Sequence, residues 1–152
     1  MTAVIPAAIV IIADRAVKHY AVHTLKALQG SKVLLSGLLR MIYTENRGIA
    51  FGLFTGSAPA VMVCAVLFLA VIAYALRRTR LTSFPKIALG LAAGGAAGNI
   101  IDRFLYGFVV DMFDFEFVRF AVFNLADAAI VTGAFMMAIS ILFMPGSWSR
   151  KA

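Results

Sequence analysis

The chain has 152 residues, of which 62% are hydrophobic and only 14% are charged, and its mean hydropathy is +0.95. A water-soluble domain of this length cannot bury so much apolar surface, so lipid is predicted to be the solvent for much of the chain. The net charge of +7 is therefore expected to set membrane topology and to contact lipid headgroups, and no nucleic-acid partner is predicted.

Four segments are predicted to be transmembrane helices. They cover residues 2–22, 59–76, 87–103 and 123–144, and each is close to the roughly 20 residues that span the hydrocarbon core of a bilayer. The length fits one domain, residues 1–152. The predicted fold class is an all-α polytopic membrane protein with four transmembrane helices, carrying a small β-subdomain outside the membrane.

The β-subdomain is predicted over about residues 34–56, in the long loop between the first two helices. Its sequence GLLRMIYTENRGIAFGLF, residues 37–54, places aromatic and branched residues around the turn-like ENRG. A second loop, between the third and fourth helices, contains the strictly alternating FDFEF at 113–117. This alternation fits either a strand or an amphipathic stretch at the membrane interface.

The distribution of basic residues favours one orientation of the helices. Six of them lie in the loop RRTRLTSFPK or at the chain end: Arg77, Arg78, Arg80, Lys86, Arg150 and Lys151. Six others lie on the opposite face: Lys26, Lys32, Arg40, Arg47, Arg103 and Arg119. The counts are equal, but the density of charge in the short loop indicates that this loop and both termini are cytoplasmic.

The third helix carries glycines and polar residues on one face. Gly90, Gly94 and Gly98 recur every four residues, which predicts close approach of a neighbouring helix. Residues three and four apart share a helix face, so the polar side chains that follow are expected on the packed side: Asn99, Asp102 and Arg103.

The first and fourth helices also carry charged residues. Asp14 and Lys18 are four residues apart, which suits a neutralising ion pair. In the fourth helix, Asn124 and Asp127 share a face, and a helix entering near residue 121 would place Asp127 about 9 Å along the axis. An acid at that depth usually marks function, although a structural pair with Arg103 is the alternative.

Asp111 and Asp127 are the two acids best placed for catalysis. Asp114 and Glu116 are predicted to be exposed. Two carboxyl groups that approach each other share one proton, so one can activate water while the other donates to a carbonyl oxygen. His19 and His23 lack a third ligand, so no metal or cofactor is predicted, and no Ser/His/Asp arrangement or zinc motif is present.

Four motifs resemble those of the lipoprotein signal peptidase family, also called signal peptidase II. They occur in the family's order over nearly the whole chain: DRAVK at 14–18, TENRGIAFG at 44–52, GNIIDR with GFVVDM over 98–112, and FNLADAAI at 123–130. The sequence departs from the family pattern at Ile49, where a small residue is usual, and at Arg15, where glutamine is usual.

The resemblance implies Asp111 and Asp127 as a catalytic dyad. It implies that four residues line the substrate site, Asn46, Asn99, Arg103 and Asn124, and that four support it, Asp14, Lys18, Gly48 and Asp102. It further implies an aspartic endopeptidase of the bacterial cytoplasmic membrane, with the β-subdomain outside and the site near the outer leaflet. Its substrates would be diacylglyceryl-modified prolipoproteins, cut before the lipidated cysteine, and globomycin would inhibit it. The expected partners are these substrates and membrane lipids, with the chain acting as a monomer.

Two other classes remain open from the residues alone. Intramembrane acids also serve as proton relays, so a small proton-coupled transporter or channel is one alternative. A non-catalytic scaffold that uses the glycine face to bind partner helices is the other.

Overall fold

The computed structural model describes residues 1–27, 30–48 and 58–150. It contains four α-helices and five short strands in these ranges. The helices are α1 (Val4–Tyr20), α2 (Ala58–Arg78), α3 (Ser83–Tyr106) and α4 (Leu125–Phe143). The strands are β1 (Lys32–Leu35), β2 (Leu39–Asn46), β3 (Thr79–Leu81), β4 (Val109–Phe115) and β5 (Trp148–Arg150). A π-helical turn, Ala21–Lys26, continues α1, and a short 3₁₀ turn, Pro145–Ser147, follows α4.

Three helices in the described part of the chain are long and apolar enough to cross a bilayer. They cover Pro59–Arg78, Ser83–Tyr106 and Leu125–Phe143, with mean hydropathies of 2.6, 1.2 and 2.0. The predicted second, third and fourth spans correspond to these helices, and the chain is a multi-pass membrane protein. The predicted first span corresponds to α1, which has 17 α-helical residues before the π-helical turn.

Helix α3 is the centre of the bundle because its small residues allow close packing on two sides. A Cβ atom added at Gly94 would lie 2.7 Å from the carbonyl oxygen of Ala7 in α1. On the other side, a Cβ atom added at Gly133 of α4 would lie 2.5 Å from the carbonyl oxygen of Ala88. The predicted close approach at the glycine face is therefore confirmed, and α3 packs between α1 and α4.

A three-stranded antiparallel sheet in the order β1-β2-β4 lies at one end of the bundle. Its hairpin, β1 and β2, comes from the predicted subdomain, whereas residues 49–57 of that subdomain lie outside the described residues. The third strand is β4, so the alternating stretch before α4 forms a strand as far as Phe115. Restricting the β-subdomain to the first long loop was wrong, because this later segment completes the sheet.

The sheet is attached to α1 through a small apolar cluster. Ala21 and Leu25 of the π-helical turn pack against Met41 of β2 and against Val110 and Met112 of β4. All five side chains are buried, so the sheet is held in place over the end of the helices by apolar packing.

A second, two-stranded sheet joins the other end of the bundle. Strand β3 pairs with β5 in antiparallel register, with Leu81 opposite Trp148. The indole Nε1 of Trp148 donates a hydrogen bond of 3.2 Å to Oγ of Ser140 in α4. Hydropathy did not predict these strands, because each has only three residues.

Candidate active site

Asp111 lies in the middle of β4, and only 1% of its surface is exposed. Strand pairing places Thr44 opposite Asp111 and Asn46 opposite Val109, so Asn46 is a diagonal neighbour of Asp111 on one sheet face. The side-chain amide of Asn46 donates to Oδ2 of Asp111 at 2.8 Å. That of Asn124 donates to Oδ1 at 2.6 Å. Both carboxylate oxygens are therefore held by amide donors.

Asn124 reaches Asp111 because the segment before α4 pairs with β4. The backbone N–H groups of Met112 and Phe113 donate to the carbonyl oxygen of Phe123 at 3.0 and 2.8 Å. This pairing fixes the residue that follows, Asn124, beside the strand that carries Asp111.

Asp127 lies in the first turn of α4, where it completes a capping box with Asn124. The backbone N–H of Asp127 donates to Oδ1 of Asn124 at 2.8 Å, and Oδ2 of Asp127 accepts the backbone N–H of Asn124 at 3.3 Å. The helix begins at Leu125, so the predicted depth of about 9 Å along the axis was wrong. The N-cap residue sets the helix start, and the apolar residues before it belong to the loop.

Two asparagines connect the two aspartates. The Nδ2 group of Asn99 donates to Oδ1 of Asp127 at 2.7 Å, and Oδ1 of Asn99 accepts from Nδ2 of Asn124 at 3.2 Å. Because Nδ2 of Asn124 also donates to Asp111, the contacts run without interruption from Asp111 through Asn124 and Asn99 to Asp127. The structure thus brings together β4, α3 and the start of α4.

The surroundings of Asp111 hold it near the point of protonation at neutral pH. Burial, followed by the nearby charge of Asp127, raises the pKa of Asp111 to about 7, while the hydrogen bonds from Asn46 and Asn124 oppose that rise. A carboxyl group with a pKa near 7 can both accept and donate a proton under physiological conditions, as general acid–base catalysis requires.

A buried cluster of charges supports these residues from α1 and α3. The Nζ atom of Lys18 lies 2.8 Å from Oδ2 of Asp14 and 2.7 Å from Oδ2 of Asp102, and it donates to Oδ1 of Asn99 at 3.1 Å. The predicted ion pair of Asp14 with Lys18 is confirmed.

The two acids of this cluster also hold the backbone beside each aspartate of the site. Oδ1 of Asp14 accepts the N–H of Ala126 at 3.1 Å, next to Asp127. Oδ2 of Asp102 accepts the N–H of Val110 at 3.2 Å, next to Asp111.

Arg103 forms a hydrogen bond to the loop after β2. Its Nη2 group donates to the carbonyl oxygen of Gly48 at 2.9 Å, and the N–H of Gly48 donates to Oδ1 of Asn46 at 3.0 Å. Asp127 forms no ion pair with Arg103 among the described residues, so the structural alternative for Asp127 is not supported. Ile49, where the sequence departs from the family pattern, lies outside the described residues.

The surroundings of two other charged side chains differ from what the sequence predicted. Asp114 was predicted to be exposed, but 15% of its side chain is exposed and it pairs with Arg40 at 2.6 Å. Glu116 is exposed, as predicted. Arg15, which the sequence marked only as a departure from a family pattern, binds Oδ1 of Asp102. Its spacing of three residues from Lys18 indicates that the two cations share a helix face and can reach the same acids.

The fold and site together define a multi-pass membrane protein with one buried and one partly buried carboxyl group, an arrangement suited to acid–base chemistry. No group of three His, Cys, Asp or Glu side chains that could hold a metal ion occurs in residues 1–27, 30–48 and 58–150. His19 and His23 are exposed, and their rings lie 4.1 Å apart.

Comparisons with known proteins place the chain in a family. A family model described as Signal peptidase (SPase) II matches residues 6–143. The lipoprotein signal peptidase of Syntrophomonas wolfei is 37% identical over 134 residues, which cover 88% of each chain. That of Caldanaerobacter subterraneus is 35% identical and covers 95% of this chain and 98% of its own. A bacterial membrane enzyme solved by the in meso method at 1.9 Å is 28% identical, with a TM-score of 0.85 over 94% of each chain. This chain belongs to the signal peptidase II family and is a membrane peptidase.

Proposed function

We propose that the protein is an aspartic endopeptidase that removes the signal peptide from diacylglyceryl-modified prolipoproteins by cutting before the lipidated cysteine. Asp111 and Asp127 are its catalytic residues. The observation that carries the proposal is the continuous set of hydrogen bonds linking Asp111, Asn124, Asn99 and Asp127 in a partly buried site. The names of its relatives, lipoprotein signal peptidases, support the substrate class.

The reaction proceeds by direct attack of water. One carboxylate removes a proton from the water, whose oxygen bonds to the scissile carbonyl carbon, while the other, protonated carboxyl group donates its proton to the carbonyl oxygen. When the tetrahedral intermediate collapses, the C–N bond breaks and the first acid gives the proton it took from water to the leaving amine of the cysteine. The second acid regains its own proton from the former carbonyl oxygen. Because water is the nucleophile, no covalent enzyme intermediate forms.

Amide and guanidinium groups around the dyad hold the substrate in position. Asn99 and Asn124 fix the carboxylates, as their hydrogen bonds to Asp127 and Asp111 indicate. Arg103 has five N–H donors, and one Nη2 contact goes to the carbonyl oxygen of Gly48, which leaves donors for substrate carbonyls. Asn46 binds both Asp111 and Gly48 and so links the start of the loop after β2 to the dyad.

The site suits a substrate that is anchored in lipid. Asp127 is in the first turn of an apolar helix, and Asp111 follows the end of α3, so both acids lie near the ends of membrane spans. The diacylglyceryl group would hold the scissile bond at this level. We place the site near the outer leaflet of the bacterial cytoplasmic membrane, with α1 as a fourth span, both termini cytoplasmic and the chain forming a single monomeric domain.

The distribution of acids does not favour the transporter alternative. Asp14, Asp102, Asp111 and Asp127 are connected through one cluster of contacts, and α2 contains no acidic residue. A proton relay needs titratable groups spread through the membrane.

The decisive experiment compares one precursor peptide in two forms. The purified protein is incubated in detergent micelles with a diacylglyceryl-modified prolipoprotein and with its unlipidated control, and products are identified by mass spectrometry. We expect cleavage only of the lipidated form, at the bond before the modified cysteine, and inhibition by globomycin. Equal cleavage of both forms would contradict the proposed specificity, and cleavage of neither would contradict the proposed function.

A further inference from the structure

Helix α1 contributes a second cation to the buried charges beneath the site. Nη2 of Arg15 binds Oδ1 of Asp102 and lies 3.8 Å from Oδ2 of Asp14. Lys18 contacts the same two acids at 2.7 and 2.8 Å. Both acids are fully buried, and the side chain of Arg15 is 27% exposed. Two acids and two bases therefore form a cluster without net charge.

The carboxylate of Asp102 is shared among three partners. Its Oδ1 atom binds Arg15, and its Oδ2 atom binds both Lys18 and the backbone N–H of Val110. Val110 precedes Asp111, so Arg15 reaches the dyad through one intervening carboxylate.

The cluster also reaches the other aspartate. Lys18 donates to Asn99, which binds Asp127, and Asp14 accepts the N–H of Ala126, the residue before Asp127. A change in the charge of the cluster is therefore felt at both carboxyl groups of the dyad.

We propose that Arg15 is a positioning residue that acts through Asp102 and sets the pH range in which Asp111 and Asp127 share one proton. This inference rests on the proposed function. Arg15 does not touch the dyad. It neutralises the second of two buried acids, so that the dyad is not exposed to an additional negative charge.

In the described residues, no charged group other than Arg15 and Lys18 forms an ion pair with Asp14 or Asp102. On β2, Glu45 pairs with Lys26 and Arg47 at the surface, and on β4, Asp114 pairs with Arg40. Helix α4 carries no charged residue besides Asp127. On α3, Arg103 donates to the carbonyl oxygen of Gly48, and its charge acts on Asp127, Asp111 and Asp102 without forming an ion pair with any of them in the described residues.

Removing the charge of Arg15 leaves the cluster with one net negative charge. The dyad then binds its protons more tightly, because a nearby negative charge favours the neutral carboxyl form. The loss of the first proton and the loss of the second therefore both occur at higher pH. Arg15→Gln should therefore move the whole pH–rate profile to higher pH, by about 0.5 to 1 unit for a charge acting through one intervening group.

The test compares pH–rate profiles for cleavage of the lipidated precursor by the wild type and four variants. Arg15→Gln and Arg15→Met, which keeps the aliphatic stem, should both show the shift to higher pH, whereas Arg15→Lys should follow the wild type. Arg80→Gln is the matched control, because it removes an exposed arginine roughly 30 Å away along α3, at 1.5 Å per residue. An unshifted profile in both neutral variants overturns the inference, and so does a failure of both to fold, since Arg15 would then be structural.

A second measurement keeps this inference separate from the proposed function. With ¹³C-labelled aspartate, the carboxyl infrared band of Asp111 is obtained by subtracting the Asp111→Asn spectrum, and its titration is followed without substrate. The band should titrate at higher pH in Arg15→Gln than in the wild type. If the wild type cleaves no precursor, the proposed function fails while this titration still decides the role of Arg15.

Discussion

Asn124 donates from Nδ2 to Oδ1 of Asp111 at 2.6 Å, which is the shortest of the asparagine contacts in the site. The same residue caps α4 and receives the backbone N–H of Asp127. One side chain therefore fixes both the position of the strand acid and the start of the helix that carries the other acid.

Replacing either acid with its amide should abolish cleavage while the fold persists. Asp111→Asn and Asp127→Asn keep the side-chain shape but remove the carboxyl group that gains and loses a proton, and we expect kcat to fall by a factor of about 10³ or more. Asp114→Asn is the control, because Asp114 pairs with Arg40 away from the dyad, and it should retain activity. The measurement is cleavage of the lipidated precursor, with circular dichroism to check folding. Wild-type turnover in either dyad variant would rule out the mechanism.

The ionisation of Asp111 should make the folded state less stable as the pH rises. Its pKa is raised from an ordinary value of 3.8 to about 7, so the native state binds this proton more tightly than the unfolded state. The associated stabilisation is complete below the unfolded pKa and is lost as the pH rises through about 7, at a cost of up to a few kcal/mol. Asp111→Asn lacks this dependence.

Thermal unfolding in detergent between pH 5 and 8 checks this expectation. The Tm of the wild type should fall relative to that of Asp111→Asn as the pH rises, and groups that do not interact with Asp111 cancel in the difference. A constant difference in Tm across this range would show that Asp111 does not titrate there.

Substitutions of Asn124 should separate helix capping from support of the dyad. Asn124→Ala removes both and should cost about 1 to 2 kcal/mol of stability together with most activity. Asn124→Ser keeps a good N-cap oxygen but lacks the amide that donates to Asp111, so it should recover stability and not activity. The measurements are Tm and kcat. Full activity in the serine variant would show that the contact to Asp111 is dispensable.

The close packing of α3 on α4 should be sensitive to one added methyl group. A Cβ atom at Gly95 would meet the carbonyl group of Ala126, next to Asp127, so Gly95→Ala must push α4 away from α3. We expect a loss of about 1 to 3 kcal/mol and a several-fold fall in kcat, because overpacking displaces the first turn of α4. Gly146→Ala is the control, since nothing lies within 4 Å of a Cβ atom there. Equal Tm and kcat for the two variants would contradict the packing described.

The sequence predicted what depends on local spacing. Hydropathy located α2, α3 and α4, and the four-residue spacing of Asp14 and Lys18 predicted their ion pair. The start of α4 was placed too early because the apolar residues before Asn124 resemble helix, whereas the cap signal of Asn124 followed by Asp127 marks the true start.

What could not be predicted depends on long-range pairing. Asn46 meets Asp111 across 65 positions of the chain, and Arg15 meets Asp102 across 87. Neither contact follows from helical or strand periodicity, because each requires the packing of whole elements. The family resemblance implied candidate site residues without their contacts, and so it could not assign a partner to Arg15.

The carboxylate of Asp127 has two tasks that compete. In the resting structure its Oδ2 atom accepts the N–H of Asn124 and holds the first turn of α4. In the proposed reaction that group must also carry a proton, and a protonated carboxyl group is a weaker acceptor for a backbone N–H. Each turnover would therefore loosen the leading turn of a membrane helix and tighten it again. Local fraying of this turn would then occur once in every catalytic cycle.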